Sequence, residues 1–247
     1  MIKFLLIFYN FFSTKIENIL FRRSVVKKNT LIKKGFEIIK LNKKLNISLS
    51  NKKEVSKNKY FKKYILKKED LEKILNSLFV QNNLKEILEK KLGFKYNVNF
   101  VLAYKTFNIK KEDQKKGWYA NHWHKDKAYS KNIIKLIIPL QKINAGDGGI
   151  QIYDKRNSRK QINKIKKKNK FVFKGTEKDL IIINPNECFH KAGNPKSKPR
   201  SQIMLQLNPS FNWTKDTTLY EKQFHLEPKF PLLKSIISRK EKLRWKN

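Results

Sequence analysis

The spacing of apolar residues changes its period once along the chain, at Gly93. Before this glycine, apolar residues recur at three- and four-residue steps, which predicts an amphipathic helix over residues 67–92 with Gly93 as its C-terminal stop. After it, short apolar runs alternate with turn-forming dipeptides, and several short strands at this spacing are typical of a sandwich or barrel. The predicted strands cover residues 98–107, 118–125, 133–140, 149–153, 170–173, 180–184 and 202–208.

Length and composition fit one folded domain with additions at both ends. The chain has 247 residues, and its hydrophobic content of 39% is globular and not disordered. We expect an N-terminal helical and lysine-rich flanking region over residues 1–97, a β core over 98–212 and a C-terminal extension over 213–247. The single cysteine, Cys188, excludes a disulfide framework and favours a cytoplasmic location. No feature of the sequence indicates an oligomeric state.

The formal net charge of +38 suggests nucleic-acid binding. However, the basic excess is spread almost evenly along the chain, whereas a nucleic-acid footprint is a patch or stripe. Zinc-finger, RNP and GXXG patterns are absent from the sequence. We therefore expect solvated lysine surface and no specific nucleic-acid partner. A non-enzymatic protein that binds nucleic acid or another anionic polymer remains the alternative, and a salt titration of DNA binding separates the two.

The first 23 residues begin with an apolar and aromatic run over residues 1–12. This run is shorter than the roughly 20 apolar residues that a membrane-spanning helix needs. No small-residue cleavage site follows it, which argues against a signal peptide. Two interpretations stay open: a helix that packs on the core, and a basic amphipathic helix that gives residues 1–23 a peripheral contact with an anionic membrane.

Three residues in the predicted strand region form a candidate metal site. His124 and Asp126 are two apart, and strand alternation places them on one face. His190 follows 64 residues later, after the predicted strand that ends near a proline turn. Two imidazoles and one carboxylate on one side of a metal leave positions open for oxygen and a bidentate 2-oxo acid. Non-haem Fe(II) oxygenases use this arrangement.

A candidate binding site for the second carboxylate of such an acid lies ten residues after His190. Arg200 offers a planar, permanently charged fork of donors, which suits a carboxylate. Gln202, two positions on, should point the same way along a strand and assist Arg200.

The stretches over residues 121–126 and 189–194, followed by Arg200, resemble the phytanoyl-CoA dioxygenase-like branch of the Fe(II)/2-oxoglutarate oxygenases. The resemblance covers residues 98–212 and implies a mainly β fold with flanking helices, the double-stranded β-helix or jelly-roll barrel. It also implies Fe(II) held by His124, Asp126 and His190, with 2-oxoglutarate held by Arg200. A hydroxylase of a small-molecule substrate is the expected activity. At Gln202 many relatives of the wider superfamily have serine, which puts the detail of the co-substrate contact in doubt.

Other residues are weaker candidates, and two alternative functions stay open. His122 shares the predicted strand face of His124, and three further residues could reach the co-substrate from neighbouring strands: Tyr104, Lys135 and Gln141. A metal-binding cupin of another reaction class is one alternative, but such barrels usually use three histidines and a glutamate. The other is a barrel that has lost its activity.

One segment concentrates the basic charge. Residues 155–176 contain ten lysines and arginines and no acidic residue. In a barrel of the predicted type this segment lies at the rim of the open end. It is either a solvated lysine loop or an electrostatic funnel that steers an anionic substrate.

Overall fold

We analysed a computed structural model of the chain, which describes residues 2–23, 29–55, 58–115, 119–126, 130–160, 162–216 and 240–242. For residues 2–10, 119, 167, 216 and 240–242 the description covers the backbone alone. The fold is mainly β with flanking helices, as predicted. The helices are α1 (Ile2–Leu20), α2 (Thr30–Lys34), α3 (Lys68–Asn76) and α4 (Leu84–Leu92). Within the described residues, no helix has the length and apolar content needed to cross a bilayer.

Two sheets form the body of the protein. The strands of the large sheet are β1 (Phe36–Lys40), β2 (Phe61–Tyr64), β3 (Lys95–Thr106), β4 (Ile134–Pro139), β7 (Asp179–Ile183), β9 (Arg200–Ser210), β10 (Thr214–Asp216) and β11 (Lys240–Lys242). Their order is β1-β7-β4-β9-β3-β10-β11, with β2 also paired to β3. The small sheet has the order β6-β5-β8 and contains β5 (Gln151–Ile152), β6 (Phe171–Val172) and β8 (His190–Lys191). All pairs are antiparallel except β3 with β10.

Strand alternation divides the large sheet into two chemically different faces. On β9, Ile203, Leu205 and Leu207 point into the larger hydrophobic core, which also contains buried leucines of α3 and α4. Arg200, Gln202 and Met204 lie on the opposite face and line a cavity. A smaller core joins the two sheets and contains Ile137, Ile143, Ile150, Ile152, Phe173, Ile181, Ile183 and Cys188. The large sheet is therefore packed on both faces, and the face that carries Arg200 and Gln202 also carries further buried polar side chains on β9, among them Gln206 and Asn208.

The predicted helix over residues 67–92 is interrupted. A π-helical turn over Ser77–Gln81 follows α3, and Asn83 adopts a left-handed conformation with φ 51° before α4 begins. The side chain of Asn82 donates to the carbonyl oxygens of Ser77 at 2.8 Å and Lys43 at 3.0 Å. Asparagine side chains compete with helical backbone hydrogen bonds, and this residue type tolerates the left-handed region. The apolar spacing alone did not show this break.

Two further expectations differ from the structure. The segment over residues 31–63 shows little periodicity, yet it supplies β1, which pairs with β7, and the start of β2, which pairs with β3. The predicted strand over residues 118–125 does not form in its described part, because a 3-10 turn at Tyr119–Asn121 is followed by a single bridge between His124 and His190. Much of the predicted C-terminal extension, residues 217–239 and 243–247, lies outside the described residues.

Candidate metal centre and co-substrate pocket

His124, Asp126 and His190 come together where β8 of the small sheet approaches β4 of the large sheet. Their potential ligand atoms all lie within 4.8 Å of one another. The Nε2 atoms of His124 and His190 lie 3.7 Å and 3.6 Å from Asp126 Oδ1. Two imidazole nitrogens and one carboxylate oxygen at such separations can bind one metal ion after small side-chain adjustments.

Backbone hydrogen bonds hold these three residues in place. The amide of His124 donates to the carbonyl of His190 at 3.1 Å, and the amide of His190 donates back at 2.9 Å. The amide of Asp126 donates to the carbonyl of Pro185 at 2.9 Å. A single antiparallel bridge therefore aligns both imidazoles, and the turn after β7 fixes the carboxylate.

The imidazole rings have a defined orientation. Nδ1 of His124 donates to the carbonyl of His122 at 2.7 Å, and Nδ1 of His190 donates to the carbonyl of Cys188 at 3.0 Å. When Nδ1 carries the proton, the lone pair is on Nε2, which is the atom that faces Asp126 in both residues. Metal-ligating histidines commonly donate their second ring N–H to a carbonyl in this way.

Burial sets the protonation states of the metal ligands. It lowers the pKa of His190 to about 4, although the neighbouring Asp126 carboxylate opposes this effect. Burial likewise lowers the pKa of His124. For Asp126, burial acts to raise the pKa, but the positive charge of Lys135 and the neighbouring histidines outweigh it and the pKa is lowered. At neutral pH the site therefore presents two neutral imidazoles and a carboxylate, which are the forms that bind metal.

Lys135 on β4 forms an ion pair with Oδ2 of Asp126. The two side chains are 15% and 9% exposed, so the pair is largely shielded from water. Oδ1 of Asp126 faces the histidines while Oδ2 faces the ammonium group. The sequence placed Lys135 among the residues that could reach the co-substrate, and the structure places it beside a potential metal ligand.

Arg200 is the most unusual group in the cavity. It is 2% exposed, and its Nη2 donates to Thr106 Oγ1 at 3.4 Å. Within the described residues, its Nε and Nη1 have no hydrogen-bond partner. Leaving a buried cation without its hydrogen bonds is costly, so such a guanidinium fits a site that receives a carboxylate ligand.

The cavity that joins these groups has a volume of about 220 Å³. The residues that line it are Phe61, Leu102, Tyr104, Ala120, His124, Asp126, Lys135, Ile137, Ile150, Ile183, His190, Lys191, Ala192, Arg200, Gln202 and Met204. Gln202 donates to the hydroxyl of Tyr104. The five residues predicted as the site, His124, Asp126, His190, Arg200 and Gln202, therefore share one cavity.

Two of the weaker candidates lie elsewhere, and other residues were missed. Gln141 is not in the cavity lining, because its side chain is bonded to the backbone of Pro199 and Ser201. The side chain of His122 is exposed. Phe61 was missed because β2 showed no strand periodicity, and no sequence pattern distinguished Lys191 from the many other lysines.

A glycine turn positions β8 and its histidine. Gly148 has φ +69°, and a Cβ atom there would lie 2.6 Å from the carbonyl carbon of Asn194 and 2.8 Å from the carbonyl oxygen of Gly193. Only a residue without a side chain allows this close approach in a left-handed conformation. The turn before β5 can therefore pack directly against the chain that leaves β8.

The sequence matches no family model, and no curated protein matches it significantly. Solved structures do match. EctD from S. alaskensis, crystallised with 2-oxoglutarate and 5-hydroxyectoine, superimposes with a TM-score of 0.55 and 11% identity over 92% of this chain and 91% of its own. SnoN, a non-heme alpha ketoglutarate dependent epimerase from nogalamycin biosynthesis, gives a TM-score of 0.51 and 10% identity in a complex with Fe³⁺, alpha ketoglutarate and nogalamycin RO. That match covers 73% of this chain and 81% of SnoN.

These likenesses concern the fold. They confirm the predicted fold class, a double-stranded β-helix with flanking helices. At 10–11% identity, any statement about activity has to come from the site itself.

Proposed function

We propose that this protein is an Fe(II)- and 2-oxoglutarate-dependent oxygenase. The observation that carries the proposal is the pairing, in one cavity, of a two-histidine, one-carboxylate cluster with a buried arginine. Two nitrogens of this arginine have no hydrogen-bond partner in the part of the chain that the structure describes. The first group fits Fe(II), and the second fits the distal carboxylate of 2-oxoglutarate.

Each part of the cavity has a role in this proposal. When bound, iron and 2-oxoglutarate supply the oxidation of a substrate C–H bond by dioxygen, with succinate and carbon dioxide as co-products. His124, Asp126 and His190 hold the metal through Nε2, Oδ1 and Nε2. Arg200 and Gln202 on β9 orient 2-oxoglutarate toward the metal, and apolar side chains of the two sheets form the walls.

Hydroxylation is the reaction that the ligand set favours. A halogenating enzyme of this class needs a metal position that no carboxylate occupies, and here Asp126 fills it. The finer assignment to the phytanoyl-CoA dioxygenase-like branch rests on the motif around His124 and His190 and on Arg200. Incorporation of ¹⁸O from labelled dioxygen into the product tests hydroxylation against an epimerase reaction, which leaves no label.

Metal and co-substrate binding test the proposal without knowledge of the substrate. The protein should retain about one Fe(II) per chain and convert 2-oxoglutarate slowly to succinate. His190→Ala should lose both properties, whereas the exposed His122→Ala should keep them. Stoichiometric iron in His190→Ala would show that the ligand assignment is wrong.

We further propose that α1 contacts an anionic membrane surface. Ser13 and Glu17 face the protein and are 1% and 4% exposed, while Phe11, Phe12 and Ile19 are 51%, 44% and 79% exposed. Over residues 11–20, the helix therefore turns Ser13 and Glu17 inward, while its outer side carries exposed apolar residues together with the exposed Lys15. The net charge of +38 favours anionic lipid as the occupant of this face.

Flotation with vesicles tests this contact. Vesicles containing phosphatidylserine should carry the protein, and Phe11→Ser/Phe12→Ser should weaken the association severalfold. Val80→Ser, at another exposed apolar position, is the control. Equal flotation of the Phe11/Phe12 variant and wild type would contradict the contact.

We also propose that the basic segment over residues 155–176 steers an anionic substrate toward the cavity. The segment contains β6, which pairs with β5, the neighbour of β8. The side chains of Lys166 and Lys168 are exposed. Substitution of Lys166, Lys167 and Lys168 by Gln should lower kcat/KM for the substrate and flatten its salt dependence, because exposed charges are screened by salt. If kcat/KM of this variant has the same salt dependence as that of the wild type, the segment does not steer the substrate.

A further inference from the structure

The two oxygens of the Asp126 carboxylate face different partners. Oδ1 lies 3.7 Å from Nε2 of His124 and 3.6 Å from Nε2 of His190, so it is the oxygen placed to share a metal with the histidines. Oδ2 forms the ion pair with Nζ of Lys135. A carboxylate can bind a metal through one oxygen or through both. Here the second oxygen is already held by a cation that belongs to the protein.

The position of Lys135 follows from strand alternation on β4. Its neighbours on the strand, Ile134 and Leu136, point into the larger hydrophobic core, so alternation turns Lys135 to the cavity face, where it lines the cavity. β4 is paired on both sides, with β7 and with β9. A strand held from both sides has little freedom to shift, so β4 fixes the base of the Lys135 side chain relative to Asp126.

Lys135 has no competing acid at this site. Among the described residues that line the cavity, Asp126 is the only acid. Both side chains of the pair are largely shielded from water, which leaves their Coulomb attraction less screened than at the surface. Moving the ammonium away from Oδ2 would leave a partly buried cation unpaired, which is costly. The ion pair is therefore expected to persist when a metal binds Oδ1.

The number of metal positions that the protein occupies decides which ligands can bind together. Two imidazoles and one carboxylate oxygen on an octahedral metal leave three positions open. A chelating 2-oxo acid takes two of them and dioxygen takes the third. If both oxygens of Asp126 bound the metal, one of these positions would be lost, and the co-substrate and dioxygen would compete for the remainder.

We propose that Lys135 is a positioning residue that limits Asp126 to one metal bond, through Oδ1, and so keeps the third open position free for dioxygen. This inference rests on the proposed function and deepens it by naming the residue that regulates the open positions of the metal. The same ammonium also repels a metal cation. Lys135 therefore weakens metal binding while it keeps the site open, a combination that a purely structural residue does not produce.

Counting the water molecules bound to Mn(II) tests this inference. Mn(II) is next to Fe(II) in the affinity order of divalent metals, and it is paramagnetic, so the relaxation of bulk water protons reports how many exchangeable waters it binds. The wild type should hold about three such waters, and saturation with 2-oxoglutarate should leave about one. In Lys135→Met, where both oxygens of Asp126 are available, the counts should fall to about two and to none, while Mn(II) affinity rises.

Three further variants assign the effect to the charge of Lys135. Lys135→Arg keeps a cation that can donate to Oδ2 and should retain the wild-type counts. Lys135→Gln is a second neutral variant, in case Lys135→Met does not fold, and should also lose about one water. Lys125→Met is the matched control and should change neither the counts nor the affinity. Lys125 precedes Asp126 and lies over the ring of Phe189 at 4.8 Å, but it does not line the cavity.

Each outcome bears on the inference. Wild-type counts of about two and none would overturn it, because Asp126 would then bind through both oxygens despite Lys135. Wild-type counts in the neutral variants would overturn it as well, and so would an equal loss of water in Lys125→Met. A protein that takes up neither Mn(II) nor 2-oxoglutarate would overturn the proposed function, whereas uptake of both with counts that do not depend on Lys135 would overturn this inference alone.

Discussion

The ion pair between Lys135 and Asp126 makes a quantitative prediction about the metal-free protein. Lys135→Met keeps the length and apolar stem of the side chain but leaves the Asp126 carboxylate, which is 9% exposed, without its cation. Breaking a buried ion pair by removing one partner costs about 3–5 kcal/mol. The carboxyl can instead take up a proton, and for an ordinary carboxyl pKa this limits the cost at pH 7 to about 4 kcal/mol. We therefore expect a loss of about 3–4 kcal/mol.

Thermal unfolding of chelator-treated protein measures this loss. For a chain of this size, 3–4 kcal/mol corresponds to a decrease in Tm of about 6–16 °C. Lys40→Met is the matched control, because Lys40 pairs with Asp179 at 3.0 Å but is 64% exposed. Exposed pairs contribute up to about 1 kcal/mol, so this variant should change Tm by only a few degrees.

Metal should reverse the effect of Lys135→Met. A divalent cation bound to Asp126 replaces the missing positive charge, so Ni(II) should stabilise the variant more than it stabilises wild type. The Tm difference between the two should shrink accordingly. If Lys135→Met costs no more than Lys40→Met, or if Ni(II) leaves the gap unchanged, then Lys135 does not compensate the charge of Asp126.

Three further changes have expected outcomes. Arg200→Lys should weaken 2-oxoglutarate binding about tenfold to a hundredfold in a calorimetric titration while metal binding survives, because lysine keeps the charge and loses the fork. In metal-free protein, His190 has a pKa of about 4 when folded and about 6.5 when unfolded, so the unfolded chain binds more protons between these values. Stability should fall by roughly 3 kcal/mol as the pH decreases from about 6.5 to about 4, and denaturant titrations of His190→Asn should show a smaller decrease. Gly148→Ala should cost at least about 1–2 kcal/mol in such titrations, since its φ is +69° and backbone atoms block the new methyl group, whereas Gly146→Ala meets only the movable side chain of Ser197.

The central strands of the large sheet could be predicted because their apolar residues follow simple patterns along the sequence. β4 and β7 carry short continuous apolar runs, β9 carries apolar residues at alternate positions, and the predicted bounds differ from the observed ones by one or two residues. Arg200 and Gln202 were placed on one face by the same alternation, and both line the cavity. The runs of β4 and β7 are continuous because these strands are buried on both faces, and such runs bounded by turn residues are easy to recognise as strands.

The outer strands could not be predicted from local pattern. β1 and β2 contain lysines at positions that obscure alternation, and they lie at the margins of the sheet, where β1 pairs with β7 and β2 pairs with β3. These strands form because β7 and β3 offer unpaired backbone N–H and C=O groups at the edge of the sheet. Since β7 and β3 lie far away in the sequence, the local pattern of β1 and β2 does not reveal this pairing. Phe61, which β2 contributes to the cavity, could not be assigned to the site for the same reason.

The lysine content of the chain does not predict which lysines belong to the site. The chain has 58 lysines and arginines. From the sequence alone, each of them is best interpreted as a solvated surface residue, because the basic excess is spread along the chain. The fold separates them: Lys135 lies beside Asp126, which is the one carboxylate among the described residues that line the cavity, whereas Lys40 pairs with Asp179 and is 64% exposed. The first cation preserves the charged form of a potential metal ligand, and the second stays largely in water. Since these roles depend on which strand registers bring an acid nearby, the position of each lysine relative to Asp126, and not the number of lysines, determines its effect on the site.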